Sequence, residues 1–547
     1  MLDYREIAVL DRNAQYLGVP TISLMENAGM GVVETVSKNV KLSGQAVTIF
    51  AGLGNNGGDG FVAARHFAYS EDCKVRVVLL GNPSEIKSQI AKENFNRLQK
   101  TIEIISIDKS DLGKLKNIDI SSDAVVIDSM LGVGISGTLK SPYSDVVKLI
   151  NSVTRIRASQ KKPKTTSKTH KSKERTSSPG TLVVSVDVPT GLGTKITVDP
   201  DITVTFHDSK FGMTTKNSGK IIIHDIGIPK NAERFVGPGE LLYLPKIKPE
   251  SHKGDQGTIL VVCGGPYTGA PALVGLGALR TGVDLVHIAT PHETAKTVAT
   301  FSPNFIIHPL SGHERYLTED DVNNILSILK TIRADAVVMG PGLGKAEDTV
   351  NGVIKILKNL PARIPIVLDA DALTALSMQS KTRLKSVLQG HNGVLTPHKT
   401  EFTRLLKAVD LKIKSSSINT RAGKKPNKQA ENTEFEELQA IVKSFTSKIT
   451  PNWTLLLKGP VDIITNGQML KLNKTGNPGM TVGGTGDVLA GITGALLANG
   501  LTPFNAARAA AFINGYSGDL AWMKYRNGLT ATDIIELIPQ CIKDCLD

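Results

Sequence analysis

Short runs of apolar, β-branched residues alternate with longer segments of helical periodicity along most of this chain. Such runs are typical of strands buried on both faces, and the intervening segments are long enough for helices that cross over a sheet. In the first half, the strands are predicted at 47–50, 75–80, 124–127 and 182–186, and the helices at 61–69, 85–98 and 143–153. The alternation predicts an α/β fold with a mainly parallel sheet.

A second array of the same kind begins after the turn-rich stretch that contains Gly237, Pro238 and Gly239. Its first strand is predicted at 258–262 and its first helix at 270–280, and further strands are predicted at 283–289, 335–339, 364–368, 393–395, 454–457 and 461–464. A chain of 547 residues also exceeds the roughly 250–300 residues that one core usually organises. We therefore predict two α/β domains, at 1–240 and 241–547, the second again a parallel layer sandwich.

The excess of positive charge is concentrated in one segment. The chain carries a formal charge of +13, and residues 151–180 hold nine basic residues against one acidic residue, which gives +8. That segment has little apolar content, so burial would not offset the entropy cost of ordering it. We predict a disordered surface insertion at about 155–180, a similar polar stretch at 414–433, and no nucleic-acid partner.

Composition gives no sign of a membrane or disulfide-bonded protein. The start of the chain lacks a secretory signal pattern, and the longest apolar run, 488–501, is shorter than the roughly 20 residues of a membrane helix. Four cysteines do not make a disulfide framework. We expect a cytoplasmic homo-oligomer with reduced thiols and without a membrane partner.

A glycine-rich segment, Gly54-Asn-Asn-Gly-Gly-Asp-Gly60, follows the first predicted strand directly. Glycines there allow close backbone approach to a ligand, and a helix N-terminus favours phosphate, although tight turns also need glycine for structural reasons alone. Asp128 and Asp187 follow two other predicted strands. Because ligands bind beyond the carboxyl ends of parallel strands, we expect Asp59, Asp128 and Asp187 to converge on one crevice. The alternative is that each aspartate only caps a helix.

These motifs, together with Leu24-Met-Glu-Asn-Ala-Gly29 and Asp187-Val-Pro-Thr-Gly-Leu192, resemble the NAD(P)H-hydrate epimerase family over about 1–240. The resemblance implies a Rossmann-like three-layer domain with Asp187 as catalytic residue beside the reacting ring. It implies potassium ligands at Asn56, Asp128 and Thr190. It also implies that the hydrated nucleotide contacts Asn55, Asn56, Gly57, Gly58, Asp59, Gly132, Val133, Gly134, Ile135, Ser136, Gly137, Thr138 and Asp187. For Lys210, charge neutralisation near the nucleotide and an exposed loop position stay open.

A second glycine-rich segment, Gly483-Gly-Thr-Gly-Asp487, precedes an apolar helix. Backbone amides at a helix N-terminus can stabilise the charge that develops in phosphoryl transfer, and Asp487 can accept the proton of an attacking hydroxyl. A glycine turn with an aspartate cap is the alternative interpretation.

This segment resembles the ribokinase-like fold, and more closely the NAD(P)H-hydrate dehydratase family. The matching segments lie at 252–257, 267–271, 340–344, 368–373, 395–398 and 458–460. The resemblance implies Asp487 as catalytic base and ADP, or alternatively ATP, with magnesium as co-substrate. It implies substrate contacts at Ala270, Gly342, His398 and Asp487, and nucleotide contacts at Lys458, Gly459, Pro460, Val461, Asp462 and Gly486. Lys399-Thr400 and Thr481-Val482 depart from the family pattern.

Together the two resemblances imply epimerisation of R and S hydrated NAD(P)H and nucleotide-driven dehydration of the S form. One rival is a small-molecule kinase of the same fold with an accessory nucleotide-binding or RNA-binding domain. A stable phosphorylated product would distinguish it.

Overall fold

The computed structural model describes residues 3–70, 72–98, 100, 102–134, 137–160, 180–411 and 428–546. The chain forms two compact units, Met1–Pro229 and Lys230–Asp547. This division lies upstream of the boundary expected at 240. The intervening residues pair with the second unit, since Val236 N donates to the Leu472 carbonyl at 2.8 Å.

The first unit contains a parallel sheet of seven described strands in the order β3-β2-β1-β4-β5-β6-β7. The strands are β1 Ala46–Ala51, β2 Lys74–Leu80, β3 Glu103–Ile107, β4 Val125–Ser129, β5 Leu182–Val186, β6 Ile202–Phe206 and β7 Lys220–His224. The helices are α1 Tyr4–Tyr16, α2 Thr21–Ser37, α3 Asn55–Ser70, α4 Gln89–Asn96, α5 Tyr143–Gln160 and α6 Thr215–Ser218. The predicted parallel α/β unit is confirmed.

Helix α5 continues to Gln160, so the first residues of the predicted insertion are helical. Its apolar face packs on the sheet through Val146, Val147 and Ile150, which are fully buried. The rest of the insertion, 161–179, lies outside the described residues.

The second unit contains a sheet of nine described strands in the order β10-β9-β8-β11-β12-β13-β14-β15-β16. The strands are β8 Thr258–Val262, β9 Leu285–Pro291, β10 Phe305–Leu310, β11 Ala336–Met339, β12 Ile366–Leu368, β13 Gly393–Leu395, β14 Trp453–Leu457, β15 Asp462–Thr465 and β16 Leu470–Asn473. The order is parallel up to β14, but β15 and β16 are antiparallel. The predicted parallel layer sandwich is confirmed up to β14, and β15 and β16 form an antiparallel edge because only short turns join the last three strands and leave no room for crossover helices.

Two apolar layers cover this second sheet. In β8, Ile259 and Val261 belong to one buried cluster, whereas Leu260 and Val262 belong to the other. The helices are α7 Lys230–Arg234, α8 Gly269–Thr281, α9 His292–Val298, α10 Val322–Ile332, α11 Glu347–Asn359, α12 Ala370–Ser377, α13 Lys381–Leu388, α14 Lys399–Ala408, α15 Lys428–Ile449, α16 Thr485–Ala498, α17 Pro503–Tyr525 and α18 Ala531–Leu546. This is a three-layer α/β arrangement.

The long apolar run at 488–501 lies mostly in α16, whose side chains from Val488 to Leu497 are buried. Its apolarity therefore reflects burial in the protein core. Among the described residues, no helix is long and apolar enough to cross a membrane. Of the second polar stretch, 412–427 lies outside the described residues, and the residues from Lys428 onward form the start of α15.

The cysteines are free thiols. Cys263, Cys541 and Cys545 are buried, and Cys73 is partly exposed.

Candidate active sites

The glycine-rich segment of the first unit is mostly helical. Helix α3 begins at Asn55, earlier in the chain than the helix predicted at 61–69, so most of the glycine-rich segment belongs to the helix. The glycines serve close packing: a Cβ atom at Gly57 would lie 2.0 Å from the Gly52 carbonyl oxygen, and one at Gly60 would lie 2.6 Å from Ser129 Oγ. Because these glycines have no side chains, the start of α3 can pack closely against the ends of β1 and β4.

Asp128 lies at the end of β4 and is fully buried. Its carboxylate accepts hydrogen bonds from Ser185 Oγ at 2.8 Å, Thr190 N at 2.8 Å and Thr190 Oγ1 at 2.6 Å. Burial raises the pKa of Asp128, while the hydrogen bonds from Thr190 and Ser185 oppose that rise. The structure thus brings two predicted potassium ligands, Asp128 and Thr190, into direct contact.

Asn56, the third predicted ligand, is buried beside them. Its backbone oxygen accepts a hydrogen bond from Ser129 Oγ, but neither atom of its side-chain amide has a hydrogen-bond partner in the structure. A buried, unpaired amide is unfavourable, so such a group indicates a missing ligand or water. An amide oxygen near a carboxylate fits a hard cation such as potassium.

Asp187 lies just beyond the end of β5 in a left-handed backbone conformation, with φ of 64°. Its Oδ1 lies 2.9 Å from Lys210 Nζ. A Cβ atom at Gly132 would lie 3.7 Å from Asn56 Cβ and 3.8 Å from Asp187 Oδ2. The carboxyl ends of the parallel strands therefore bring together Asn56, Gly132 and Asp187, as expected for ligand sites in such sheets.

Lys210 is only 2% exposed, so the alternative of an exposed loop lysine was wrong. Besides Asp187, its ammonium contacts Thr205 Oγ1 at 3.1 Å and the carbonyls of Phe206 at 2.6 Å and Asp208 at 3.1 Å. These contacts fix the ammonium against the carboxylate.

Two more carboxyls interact with this pair. Burial, and then the negative charges of Asp187 and Asp11, raise the pKa of Asp59 well above its usual range. Burial, and then Asp187, raise the pKa of Asp11 to about 6. The sequence analysis did not identify Asp11 as a site residue. It directly follows the buried Leu10 on α1.

The loop after β4 carries the remaining predicted epimerase contacts. Gly134 and Gly137 have φ of 96° and 88°, and Val133 and Thr138 are exposed. A Cβ atom at Gly134 would lie 3.8 Å from a Tyr4 ring carbon, so α1 lies beside the loop. Ile135 and Ser136 lie outside the described residues.

In the second unit, Asp487 lies in the first turn of α16. The helix begins directly after its N-cap residue Gly484, which has a left-handed backbone conformation. Burial, followed by the negative charge of Asp369, raises the pKa of Asp487 to about 7, and Lys458 opposes this. A carboxyl with such a pKa is suited to accept a proton near neutral pH.

Lys458 reaches the same turn from the end of β14. Its Nζ lies 2.8 Å from Asp369 Oδ1, and a Cβ atom at Gly486 would lie 3.4 Å from that Nζ. Sequence reasoning recorded Asp369 only within a matching segment and gave it no role. The signal was nonetheless available, because Asp369 directly follows the strand β12, as Asp187 directly follows β5 in the first unit.

His398 caps helix α14. Its Nδ1 accepts hydrogen bonds from Thr400 N at 3.1 Å and Glu401 N at 3.3 Å, and Glu401 Oε2 accepts one from His398 N at 2.9 Å. Lys458 N donates to the Pro397 carbonyl at 2.9 Å, which places His398 beside Lys458. His398 therefore has a structural role as a helix cap, and its side chain remains 52% exposed.

The other predicted contacts of the second unit fall in two places. A Cβ atom at Gly342 would lie 3.0 Å from Ala270 Cβ, so these two residues are neighbours. Asp462 closes the turn at 459–462 by accepting from Gly459 N at 2.9 Å, and it also accepts from Asn473 Nδ2 at 2.9 Å. Burial raises the pKa of Asp462 to about 6.

Within the described ranges, no group of three or more His, Cys, Asp or Glu side chains could hold a metal ion. Magnesium is usually held by one or two carboxylates together with substrate phosphates and water.

Comparison with known proteins agrees with this division into two sites. The model of the YjeF-related protein N-terminus matches residues 21–212, and that of NAD(P)H-hydrate dehydratase matches 259–540. The bifunctional NAD(P)H-hydrate repair enzyme of Methanothermobacter thermautotrophicus is 38% identical, over 98% of this chain and 94% of its own. The chain belongs to the bifunctional NAD(P)H-hydrate repair enzyme family. The resemblance inferred from the motifs is thereby confirmed.

A second member of this family, from Archaeoglobus fulgidus, is 36% identical over 99% of this chain and 98% of its own. Among solved structures, the ADP/ATP-dependent NAD(P)H-hydrate dehydratase of Bacillus subtilis, co-crystallised with ATP and Mg²⁺, is 24% identical. That alignment covers 57% of this chain and 98% of the other, with a TM-score of 0.43.

Proposed function

We propose that this chain repairs hydrated NADH and NADPH in two steps. The first unit interconverts the R and S forms, and the second dehydrates the S form at the expense of ADP or ATP. The observation that carries the proposal is the position of Asp487 in the first turn of α16, beside Lys458, in a chain that matches the two-domain family over nearly its full length.

The second unit supports phosphoryl transfer to the ring hydroxyl. Asp487 takes the hydroxyl proton while the hydroxyl oxygen attacks the terminal phosphorus, and AMP leaves if ADP is the donor. The helix N-terminus and the Lys458 ammonium stabilise the charge on the phosphoryl group. The carbon–oxygen bond then breaks, phosphate departs with the bonding electrons, and loss of the neighbouring ring proton restores the double bond.

We assign the nucleotide to Lys458, Gly459, Pro460, Val461, Asp462 and Gly486, with ADP as the first choice of donor. The hydrated ring would contact Ala270, Gly342, His398 and Asp487. Bound magnesium would neutralise charge on the nucleotide phosphates and help to orient them.

The first unit supports inversion at the hydrated carbon, which needs both a proton donor and a proton acceptor. Asp187 is our candidate base, because Lys210 holds its carboxylate at the strand end beside Gly132. Asp59 is our candidate donor, because burial and the negative charges of Asp187 and Asp11 raise its pKa.

We assign a potassium ion to Asn56, Asp128 and Thr190. The support is the buried side-chain amide of Asn56, which lacks a hydrogen-bond partner, and the buried carboxylate of Asp128, whose chain neighbour Ser129 donates to the Asn56 backbone oxygen. Potassium bound there would supply fixed positive charge close to the substrate. Cytoplasmic location and a homo-oligomeric state stay predictions.

The kinase alternative is less well supported, because a kinase of small molecules does not account for the epimerase-type unit in the same chain. The discriminating experiment supplies hydrated NADH with ADP or with ATP and follows the absorbance of the reduced ring. We expect recovery of that absorbance with release of phosphate. A stable phosphorylated product without recovery would support the kinase instead.

A further inference from the structure

Asp369 is a buried carboxylate that the proposed reaction does not yet use. It directly follows β12 and is 2% exposed. The backbone there is tightly held: a Cβ atom at Gly340 would lie 1.9 Å from the Asp369 carbonyl oxygen, and Ala370 has φ of 48°. A left-handed alanine is strained and persists only where its surroundings enforce it. The carboxylate therefore projects from a rigid point of the sheet edge.

The rigid position of Asp369 also restricts the side chain that it contacts, Lys458. Oδ1 of Asp369 lies 2.8 Å from Lys458 Nζ, and the lysine side chain is 21% exposed. A lysine has four rotatable bonds and three ammonium donors, so one buried carboxylate removes much of its freedom and leaves donors for a ligand. The ion pair thus holds the Lys458 ammonium group in a fixed position, with one face of that group toward the site.

That face points to the first turn of α16. A Cβ atom at Gly486 would lie 3.4 Å from Lys458 Nζ and 3.9 Å from Asp369 Oδ2. The positive end of a long helix and an ammonium group therefore meet at one place, and an anion between them would be stabilised by both.

We propose that Asp369 is a positioning residue that holds the Lys458 ammonium at the N-terminus of α16, where Lys458 stabilises the phosphoryl group in transfer. The inference rests on the proposed dehydratase function and adds a specific task for each of the two residues. In this assignment Asp369 acts on phosphoryl transfer through Lys458, and its charge also raises the pKa of Asp487.

The test is a double-mutant cycle on the full chain with Asp369→Asn, Lys458→Met and both together. The expected result is a fall in kcat of dehydration by about 10–100-fold in either single variant, with the KM for nucleotide changed by less than about threefold. At a pH well above the pKa of Asp487, the double variant should match Lys458→Met within about twofold, because Asp369 then has no ammonium to hold. Asp369→Glu, which keeps the charge, should recover part of the activity.

Two controls keep the outcome clear. Glu319→Gln breaks an exposed pair with Lys355, whose atoms lie 3.3 Å apart, and should leave kcat unchanged. Epimerase activity of the same chains reports on the integrity of the first unit, and circular dichroism melting reports on folding of the second. Wild-type protein without dehydration would contradict the proposed function itself. Active wild type with an equally active Asp369→Asn, or with losses that multiply in the double variant, would overturn the inference.

A pH profile measures the second effect of Asp369, which is the influence of its charge on the pKa of Asp487. Asp487 faces Asp369, Asp371 and Lys458, and the first two raise its pKa whereas Lys458 lowers it. Removing the Asp369 charge should therefore shift the acid limb of kcat/KM to lower pH. An acid limb that stays in place would contradict this effect of the Asp369 charge on Asp487.

Discussion

Lys210 and Asp187 form a nearly buried ion pair, with Nζ 2.9 Å from Oδ1, and the two side chains are 2% and 16% exposed. Three contacts from the segment 205–208 hold the ammonium, so the carboxylate meets a fixed charge. The pair joins the end of β5 to the loop after β6. It makes Lys210 the partner on which the candidate epimerase base depends.

Replacing Lys210 by methionine should slow epimerisation by about 100-fold, because removing one partner leaves the other charge buried and uncompensated. Lys148→Met provides a matched control, since Lys148 lies in an exposed pair with Asp145. The measurement is conversion of the R to the S form by chromatography. Epimerisation at the wild-type rate in Lys210→Met would contradict the role of the pair.

The dehydratase reaction should depend on pH through Asp487, whose pKa is raised to about 7. The base acts only when ionised, so kcat/KM should fall about tenfold for each pH unit below that value. The check is a profile from about pH 5 to 9 with saturating nucleotide. A rate that stays constant down to pH 5 would show that another group, or none, accepts the proton.

Asp11→Asn should raise the thermal stability of the first unit at pH 8 but not at pH 4. The folded protein raises the pKa of Asp11 from 3.8 to about 6 by burial. Ionisation therefore costs folding free energy, and this cost is absent below the unfolded pKa and complete above the folded one. We expect a Tm increase of a few degrees at pH 8. An equal shift at both pH values would point to packing instead.

Asn56→Leu should remove the response of epimerisation to potassium. The variant takes away the unpartnered amide oxygen and leaves Asp128 with its contacts to Ser185 and Thr190. Rates are compared in potassium and in choline chloride at equal ionic strength, and dehydration by the same chain serves as the internal control. Wild type that is indifferent to potassium would contradict the assigned site.

The sequence predicted the α/β class and the strand-end aspartates because both depend on local patterns. Apolar runs identified β1, β4 and β5, and parallel topology then required Asp128 and Asp187 to lie at one edge. The same rule would have identified Asp369 after β12.

Other features depend on contacts that sequence periodicity does not encode. The glycines at 57 and 60 resemble a flexible loop, yet they allow α3 to pack against the Gly52 carbonyl and Ser129. The burial of Lys210 depends on carbonyls that the loop after β6 turns inward. The position of Asp11 depends on how α1 packs, and α1 was not among the predicted helices.

The most direct test of the account supplies the pure R form of hydrated NADH with potassium, magnesium and ADP or ATP. Wild type should restore the absorbance of the reduced ring fully with at least one of the nucleotides. Asp187→Ala should leave the R form unrepaired beyond its slow spontaneous conversion yet repair added S form, and Asp487→Ala should repair neither. Repair of the R form by Asp187→Ala at the wild-type rate, or of the S form by Asp487→Ala, would contradict the account.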